Sequence, residues 1–365
     1  MMAAFLLVSP HGELRNGLSF AVPDSVPERV ELTRLADGVY AAVRREPLGL
    51  AVNANSMIVV GSEAVLVVDA QFTREATLET LKAIRSLTSK PVRYVVNTHW
   101  HDDHLAGNQV YRDSFPDVRF VMHENTRADV VSLGGPNREG TRGGAPPLIA
   151  RYEKLLASGL GTDSLPVSNG ERESLTSALR IIKQYLGELP SFALTVEGPA
   201  VKDRLALELG NRVVNVLWFG RGNTRGDLVV EVPGERVLAV GDLLVSPVPF
   251  AFNSHPAEWR SVLDSIARRA PVAMIPGHGP VMRDAAYLRQ VQAMLADVDE
   301  QVRVARDRGD SLSTMLRTIT LASTKQRVTS GDEWKGKLFE QFFRGPAIRS
   351  AARPTTPPRT TSDRQ

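Results

Sequence analysis

Thr98-His99-Trp100-His101-Asp102-Asp103-His104 decides the reading of this chain. The segment follows Val92-Arg93-Tyr94-Val95-Val96, a short β-branched run that reads as a buried strand, and it leads into a helical pattern reaching about residue 114. The chain has seven histidines, and three of them fall within six residues here, interleaved with two aspartates. His99 and His101 stand two apart in an extended segment, so both rings point to one side. Asp103 and His104 come as the chain turns into a helix, where they serve a neighbouring position. Imidazole nitrogen and carboxylate oxygen suit zinc, iron or manganese. A pair of such ions sharing one water is the basis of two-metal hydrolysis. The competing reading is a surface loop that happens to collect three histidines; the strand before the run and the helix after it weigh against that.

Outward from this segment the pattern is orderly. Short strand-like runs begin at Val30 and include 38–43, 56–60 and 64–68, with turn residues at Asp37-Gly38 and Gly61-Ser62. Residues 72–88 carry helical spacing and end before Pro91. Val118–Met122 reads as a strand and Glu124–Leu133 as a short helix. A Gly/Pro-rich break covers 134–147, and helical patterns near 148–159 and 171–187 follow it. Strand patterns return at 204–209, 212–218, 228–232 and 236–240. Then come a helix at 256–269, a last strand at 272–275 and helical patterns at 284–308, 312–321 and 331–343. The order is two similar halves, each a sheet covered by helices on one side, with the sheets face to face. The expected organisation is an irregular lead-in at 1–30, a main domain at 31–285 with an insertion at about 134–192, a C-terminal helical extension at 286–343, and a disordered tail at 344–365. A long insertion between the halves suggests a lid over the site.

Bulk properties exclude several classes. At 42% hydrophobic and 23% charged, the 365 residues have an ordinary globular composition. The net charge is +3, but residues 344–365 hold five Arg and one Asp, so the rest of the chain is near −1 and offers no basic nucleic-acid face. The chain has no Cys, which rules out disulfides and thiolate metal sites. No run approaches the roughly 18 apolar residues of a membrane span. The apolar stretch Ala3–Val8 is too short for a leader by itself, so a cytoplasmic location is expected, or a periplasmic or secreted one if a signal peptide lies upstream. The expected partner is a small-molecule substrate; oligomeric state is not legible.

The His-x-His-x-Asp-His run after a strand resembles that of the metallo-β-lactamase superfamily of hydrolases, over roughly residues 35–285. Other motifs of that family are present: Val68-Asp69-Ala70, Val240-Gly241-Asp242-Leu243-Leu244, and Ile275-Pro276-Gly277-His278-Gly279-Pro280. The resemblance implies a four-layer αββα sandwich of the α/β class, with the metals at the sheet edge. It implies that Asp69 supports the metal-binding loop, that Asp242 bridges two ions, and that His278 is the last ligand of the second ion. The second site would then hold Asp103, His104, Asp242 and His278, and the first His99, His101 and Asp242. Two zinc ions are implied, with iron or manganese as alternatives.

One motif departs from the family pattern. Where a glycine, two residues and then His-Thr-x-Gly-Asp are expected, the chain has Gly220-Arg221-Gly222-Asn223-Thr224-Arg225-Gly226-Asp227. Asn223 stands in place of a first-site histidine, and an amide oxygen is a poorer zinc ligand than imidazole, so the resemblance implies a first site of His99, His101, Asp242 and a solvent oxygen, with Asn223 a weak or water-linked ligand. Three readings stay open: a natural variant with a weaker first site, an introduced substitution, or a non-catalytic member. The resemblance implies a hydrolase in which hydroxide generated at the metals attacks a carbonyl, Asp103 holding a metal and orienting the nucleophile. A β-lactam-type amide is the first choice of substrate. The alternatives are a thioesterase or lactonase of the glyoxalase II type, or a weakly metallated binding module. His123 and His255 read as local capping or packing residues, and Trp100 as packing below the loop.

Overall fold

In the computed structural model, residues 29–49, 51–161 and 164–353 are described. Nearly all of the 1–30 lead-in lies outside these residues, and Val30 already opens the first strand. The first sheet holds β1 (Val30–Ala36), β2 (Val39–Arg44), β3 (Ser56–Val60) and β4 (Val65–Val68) as an antiparallel meander. The chain then crosses over through α1 (Arg74–Leu87) to β5 (Val92–Val96), parallel to β4. Short helices α2 (Asp102–Leu105) and α3 (Asn108–Ser114) lead to β6 (Arg119–His123), parallel to β5. After α4 (Glu124–Asp129), a π-helical turn at Val130–Gly134, α5 (Gly135–Ser158) and α6 (Asn169–Glu188), the two-residue β7 (Ala200–Val201) completes this sheet.

The second sheet repeats the scheme. β8 (Arg204–Glu208), β9 (Val213–Trp218), β10 (Leu228–Val232) and β11 (Val237–Val245) run antiparallel. α7 (Pro256–Arg268) then crosses to β12 (Ala273–His278), parallel to β11. The inner faces of the two sheets meet in one apolar cluster that includes Met57, Leu66, Val96, Val216, Val230 and Ile275. α1 and α3 cover the outer face of the first sheet through Leu81, Ile84, Val110 and Tyr111. α7 and α8 (Ala286–Asp307) cover the second through Trp259, Leu263, Leu288 and Leu295. These are the four expected layers, and strands buried on both faces explain the near-continuous Val/Leu runs of β4 and β11. No helix among the described residues is long and apolar enough to cross a membrane.

Two expectations are corrected. The Gly/Pro-rich break at 134–147 is not a break: α5 runs through it, with Pro136 in its first turn and Pro146 and Pro147 inside. The contacts of Arg138 and the packing of Ala145 and Tyr152 against α6 override propensity here, which disfavours a helix by about 1 kcal/mol per Gly and 3 per internal Pro relative to Ala. The tail does not start at 344. After α9 (Leu312–Thr318), α10 (Ala322–Thr329), α11 (Glu333–Leu338) and a second π-helical turn at Phe339–Arg344, α12 (Gly345–Ala351) packs back on the core with Ala347 and Ile348 fully buried. Composition alone hides this, because the apolar triplet Pro346–Ile348 is too short to show a period. The rest of that stretch, 354–365, lies outside the described residues.

Candidate metal centre

Four chain segments end at one edge of the sandwich, and each delivers one part of the site. Asp69 directly follows β4 and adopts a left-handed backbone conformation, φ 62°. Its carboxylate accepts from Thr98 N at 2.8 Å and Thr98 Oγ1 at 2.9 Å, and it lies 2.8 Å from His104 Nδ1. Those three contacts hold a strained residue in place and fix the loop after β5. Asn97 braces the same loop by donating to His104 O at 2.9 Å. Asp242 lies in β11 behind Gly241, φ 51°, and a Cβ on Gly241 or on Gly277 would collide with Thr98 or with Asp242 itself. His278 is the last residue of β12 and approaches Asn53 O through Nδ1, 3.2 Å away.

With Nδ1 of His104 and His278 engaged in this way, their Nε2 atoms turn inward. His104 Nε2 lies 3.2 Å from Asp242 Oδ1 and 3.4 Å from Asp103 Oδ2. His278 Nε2 lies 3.1 Å from Asp103 Oδ2 and 3.5 Å from Asp242 Oδ1. His99 Nδ1 meets Thr98 Oγ1 at 3.0 Å, leaving Nε2 2.9 Å from His101 Nδ1 and 3.8 Å from Asp242 Oδ2. Two groups result, Asp103–His104–Asp242–His278 and His99–His101–Asp242, and Asp242 belongs to both. These are the residues that the resemblance groups as ligand sets, and the carboxylate common to both lies between them.

The donor set fits divalent metal ions. His104 Nε2, His278 Nε2 and both oxygens of Asp242 are buried without a hydrogen-bond partner. Such atoms are costly in an apolar interior unless a cation or water meets them. Partners for the other ring nitrogens, of the kind that orient metal-bound histidines, are already in place. The local field is strongly negative. Burial opposes ionisation of Asp242, yet the charges of His104 and His278 hold its carboxyl at about 2. Burial likewise disfavours charge on His104, but Asp69, Asp242 and Asp103 raise its pKa well above the ordinary histidine value. A site that stabilises a proton on a buried imidazole also stabilises a metal cation there, which would displace that proton. On the other side burial, together with His104, keeps the His99 ring well below its ordinary pKa, hence neutral and able to ligate.

Asn223 lies in the loop between β9 and β10, fully buried. Its amide nitrogen donates to Phe250 O, and its Oδ1 is buried without a partner. In the same loop burial pushes Asp227 up to about 7, while its carboxylate accepts from Thr224 N at 2.7 Å.

The other described histidines, His123 and His255, stand apart. His123 caps α4 by accepting from Asn125 N, lies 2.9 Å from Lys202 O, and stacks on Trp218. His255 occupies the N-cap position of α7. Trp100 packs with Leu105 and Val130 and also lines a cavity of about 580 Å³ that opens onto the site. Sequence reasoning missed the supporting roles of Asn53, Asn97 and Thr98. Thr98 stands inside the quoted motif; Asn53 has no local signal, since its partner is 225 residues away.

The fold and this histidine–aspartate centre define a protein built to carry metal ions at the edge of an αββα sandwich. The chain belongs to the metallo-beta-lactamase superfamily, whose family model matches residues 49–278. Among solved structures, it is similar to a metallo-beta-lactamase from Pontibacter korlensis, at 19% identity and a TM-score of 0.51, over 73% of this chain and 99% of that one. It is also similar to a double mutant of the sec-alkyl sulfatase PisA1, at 17% identity and a TM-score of 0.55, over 80% of this chain and 45% of that one. At these identities the likeness is one of fold.

Proposed function

We propose that the protein is a metal-dependent hydrolase of small, neutral carbonyl compounds bearing an apolar group, an ester or a lactone, with two zinc ions as cofactor. The observation that carries the substrate class is the cavity lining. Phe72, Trp100, Leu148, Ile182, Phe250 and Phe342 supply apolar walls, and the charged groups on the lining are Asp102, Asp103 and Asp242. Among the described residues no Lys or Arg lines it, and with Asp102 paired to Arg138, an anionic group on the substrate would have only the bound ions to meet it. A neutral ester or lactone needs no such anion site, so the β-lactam amide, whose common forms carry a carboxylate that no side-chain cation here would receive, follows them. The alkyl sulfate suggested by the second relative meets the same objection, although its chain would suit the walls.

His99, His101 and Asp242 would hold one ion, with Asn223 Oδ1 as a weak further donor. Asp103, His104, Asp242 and His278 would hold the other. Bound ions of this kind lower the pKa of water enough to supply a nucleophile near neutral pH. The chain's own contribution is placement. Asp103 reaches the cavity with 20% of its side chain exposed, which suits it to accept a proton from, and so orient, an attacking water. Asp69 and Thr98 fix the loop that carries His99 and His101. The apolar walls exclude competing water and seat the substrate's chain.

The test combines elemental analysis with a panel of a neutral p-nitrophenyl ester, a lactone, a chromogenic cephalosporin and an alkyl sulfate, with and without chelator. Close to two metals per chain, chelator-sensitive turnover and preference for the neutral compounds are expected. Faster hydrolysis of the cephalosporin would sink the substrate class. Failure to bind metal at all would favour the binding-module reading.

A further inference from the structure

The roof of the cavity is α5, whose second half packs on α6 through Ala145, Leu148, Tyr152 and Leu155 and whose first half is lightly held. Asn137, Thr141, Gly144, Ala145 and Leu148 recur at helical spacing and face the cavity. Along the whole helix only Arg138, Ala145 and Tyr152 are buried. A Cβ placed on Gly140, Gly143 or Gly144 would meet no atom within 4 Å, so the helix is open at these three positions. Together with its internal prolines, α5 is intrinsically a poor helix that depends on its attachments.

The attachment of its first half is ionic. Arg138 grips Asp102 with two nitrogens, Nε to Oδ2 and Nη2 to Oδ1, each at 2.8 Å. The remaining Nη1 donates to Phe192 O at 2.7 Å. The Tyr185 hydroxyl, from α6, donates to the same Asp102 carboxylate, and its ring stacks on Phe72 at 4.0 Å. All three residues are buried, and Asp102 sits between His101 and Asp103 in the chain. Asp102 belongs to neither metal-ligand group; its carboxylate points at the insertion instead.

We propose that Asp102, Arg138 and Tyr185 form a clamp that positions the roof helix over the metal centre and thereby sets which substrate chains the cavity accepts. The three are positioning residues: they act through the shape of the cavity. A two-point Arg–carboxylate pair fixes orientation as well as distance, so the register of α5 over the site follows from the position of Asp102 in the metal loop. The selectivity half of this inference rests on the hydrolase reading above; the mechanical half does not.

The experiment therefore has two arms, run on the full chain with Arg138→Met, Arg138→Lys and Tyr185→Phe. In the first, amide hydrogen exchange over 135–150 is compared with exchange in β4 and β5. Arg138→Met is expected to speed exchange in the roof by at least about 10-fold, the scale of a lost charged hydrogen bond, with the strands unchanged. Tyr185→Phe keeps the stacked ring and is expected to give a smaller effect in the same direction. Bound zinc is expected to stay at the wild-type value. In the second arm, KM is measured for short-chain and octanoyl p-nitrophenyl esters. A rise confined to the octanoyl ester, with kcat held and partial rescue by Arg138→Lys, is expected. Unchanged roof exchange in both Arg138→Met and Tyr185→Phe, or loss of zinc from Tyr185→Phe, would overturn the clamp. An equal KM change for both esters would overturn its role in selectivity. If the wild type hydrolyses no member of the panel, the hydrolase reading fails while the exchange arm still decides the clamp.

Discussion

The floor and the roof of the cavity are built by opposite means. The floor is a set of loop ends fixed by two packed sheets: Asp69, Asp242 and His278 follow or sit in strands buried on both faces, and every supporting partner is itself buried. The roof is a glycine- and proline-interrupted helix with three buried residues, held by a few polar contacts in its first half and by one apolar seam against α6 in its second. Chemistry needs donors held to fractions of an ångström, and a sheet edge provides that. Selection among substrates needs a surface that can differ without disturbing the donors, and a lightly attached insertion provides that.

The sharpest way to test the contrast is to attack the floor. Asp242→Ala removes the one carboxylate shared by both metal groups. It should lower turnover by more than the roughly 100-fold typical of losing an outer-shell partner, with metal content falling well below two per chain by elemental analysis. Asp69→Asn leaves every direct donor in place but weakens the hold on Thr98 and His104. Zinc affinity should fall about 10- to 100-fold, read by competition with a chromophoric chelator; unchanged affinity would mean that the loop is fixed by other contacts. Asn223→His tests whether the first site is the weak half of the floor. An imidazole there should tighten the weaker zinc by at least about 10-fold, and equal affinities in both proteins would remove Asn223 from the ligand set.

Roof variants should be milder. The clamp substitutions should change KM and local exchange while sparing metal content. The smallest effect expected is at His255, outside both regions. Burial, with Arg221 nearby, lowers its pKa to about 4 from the ordinary 6.5. The folded state thus binds this proton less readily than the unfolded chain. The His255 contribution to stability should be fully present above pH 6.5 and be lost as pH falls toward 4. His255→Gln should flatten the melting temperature across that window, by an amount limited by the partial exposure of the ring. An undiminished slope would assign the acid sensitivity to other groups.

How much of this was legible beforehand differs between the same two regions. His99, His101, Asp103 and His104 announce themselves because their spacing in one short segment is dense and chemically specific. Asp69, Asp242 and His278 are legible by motif, each within or directly after a strand whose near-continuous apolar run stands out. The supporting contact of Asn53 with His278 was not visible, because nothing near either residue in the chain encodes a partner 225 positions away. The roof was misread for a related reason. Gly143, Gly144, Pro146 and Pro147 argue against a helix locally, and the ion pair that helps to hold it joins residues 36 apart.

By itself the sequence determined the class of the fold, the histidine–aspartate chemistry and the departure at Asn223, since these are written in local periodicity and in motifs a few residues long. The tertiary structure alone decided that Asn53 orients His278, that Asp102 faces the insertion instead of a metal, and that the cavity has apolar walls with no Lys or Arg among its described lining residues. Each of those depends on distances between segments far apart in the chain, and such distances are set by how sheets and helices pack together.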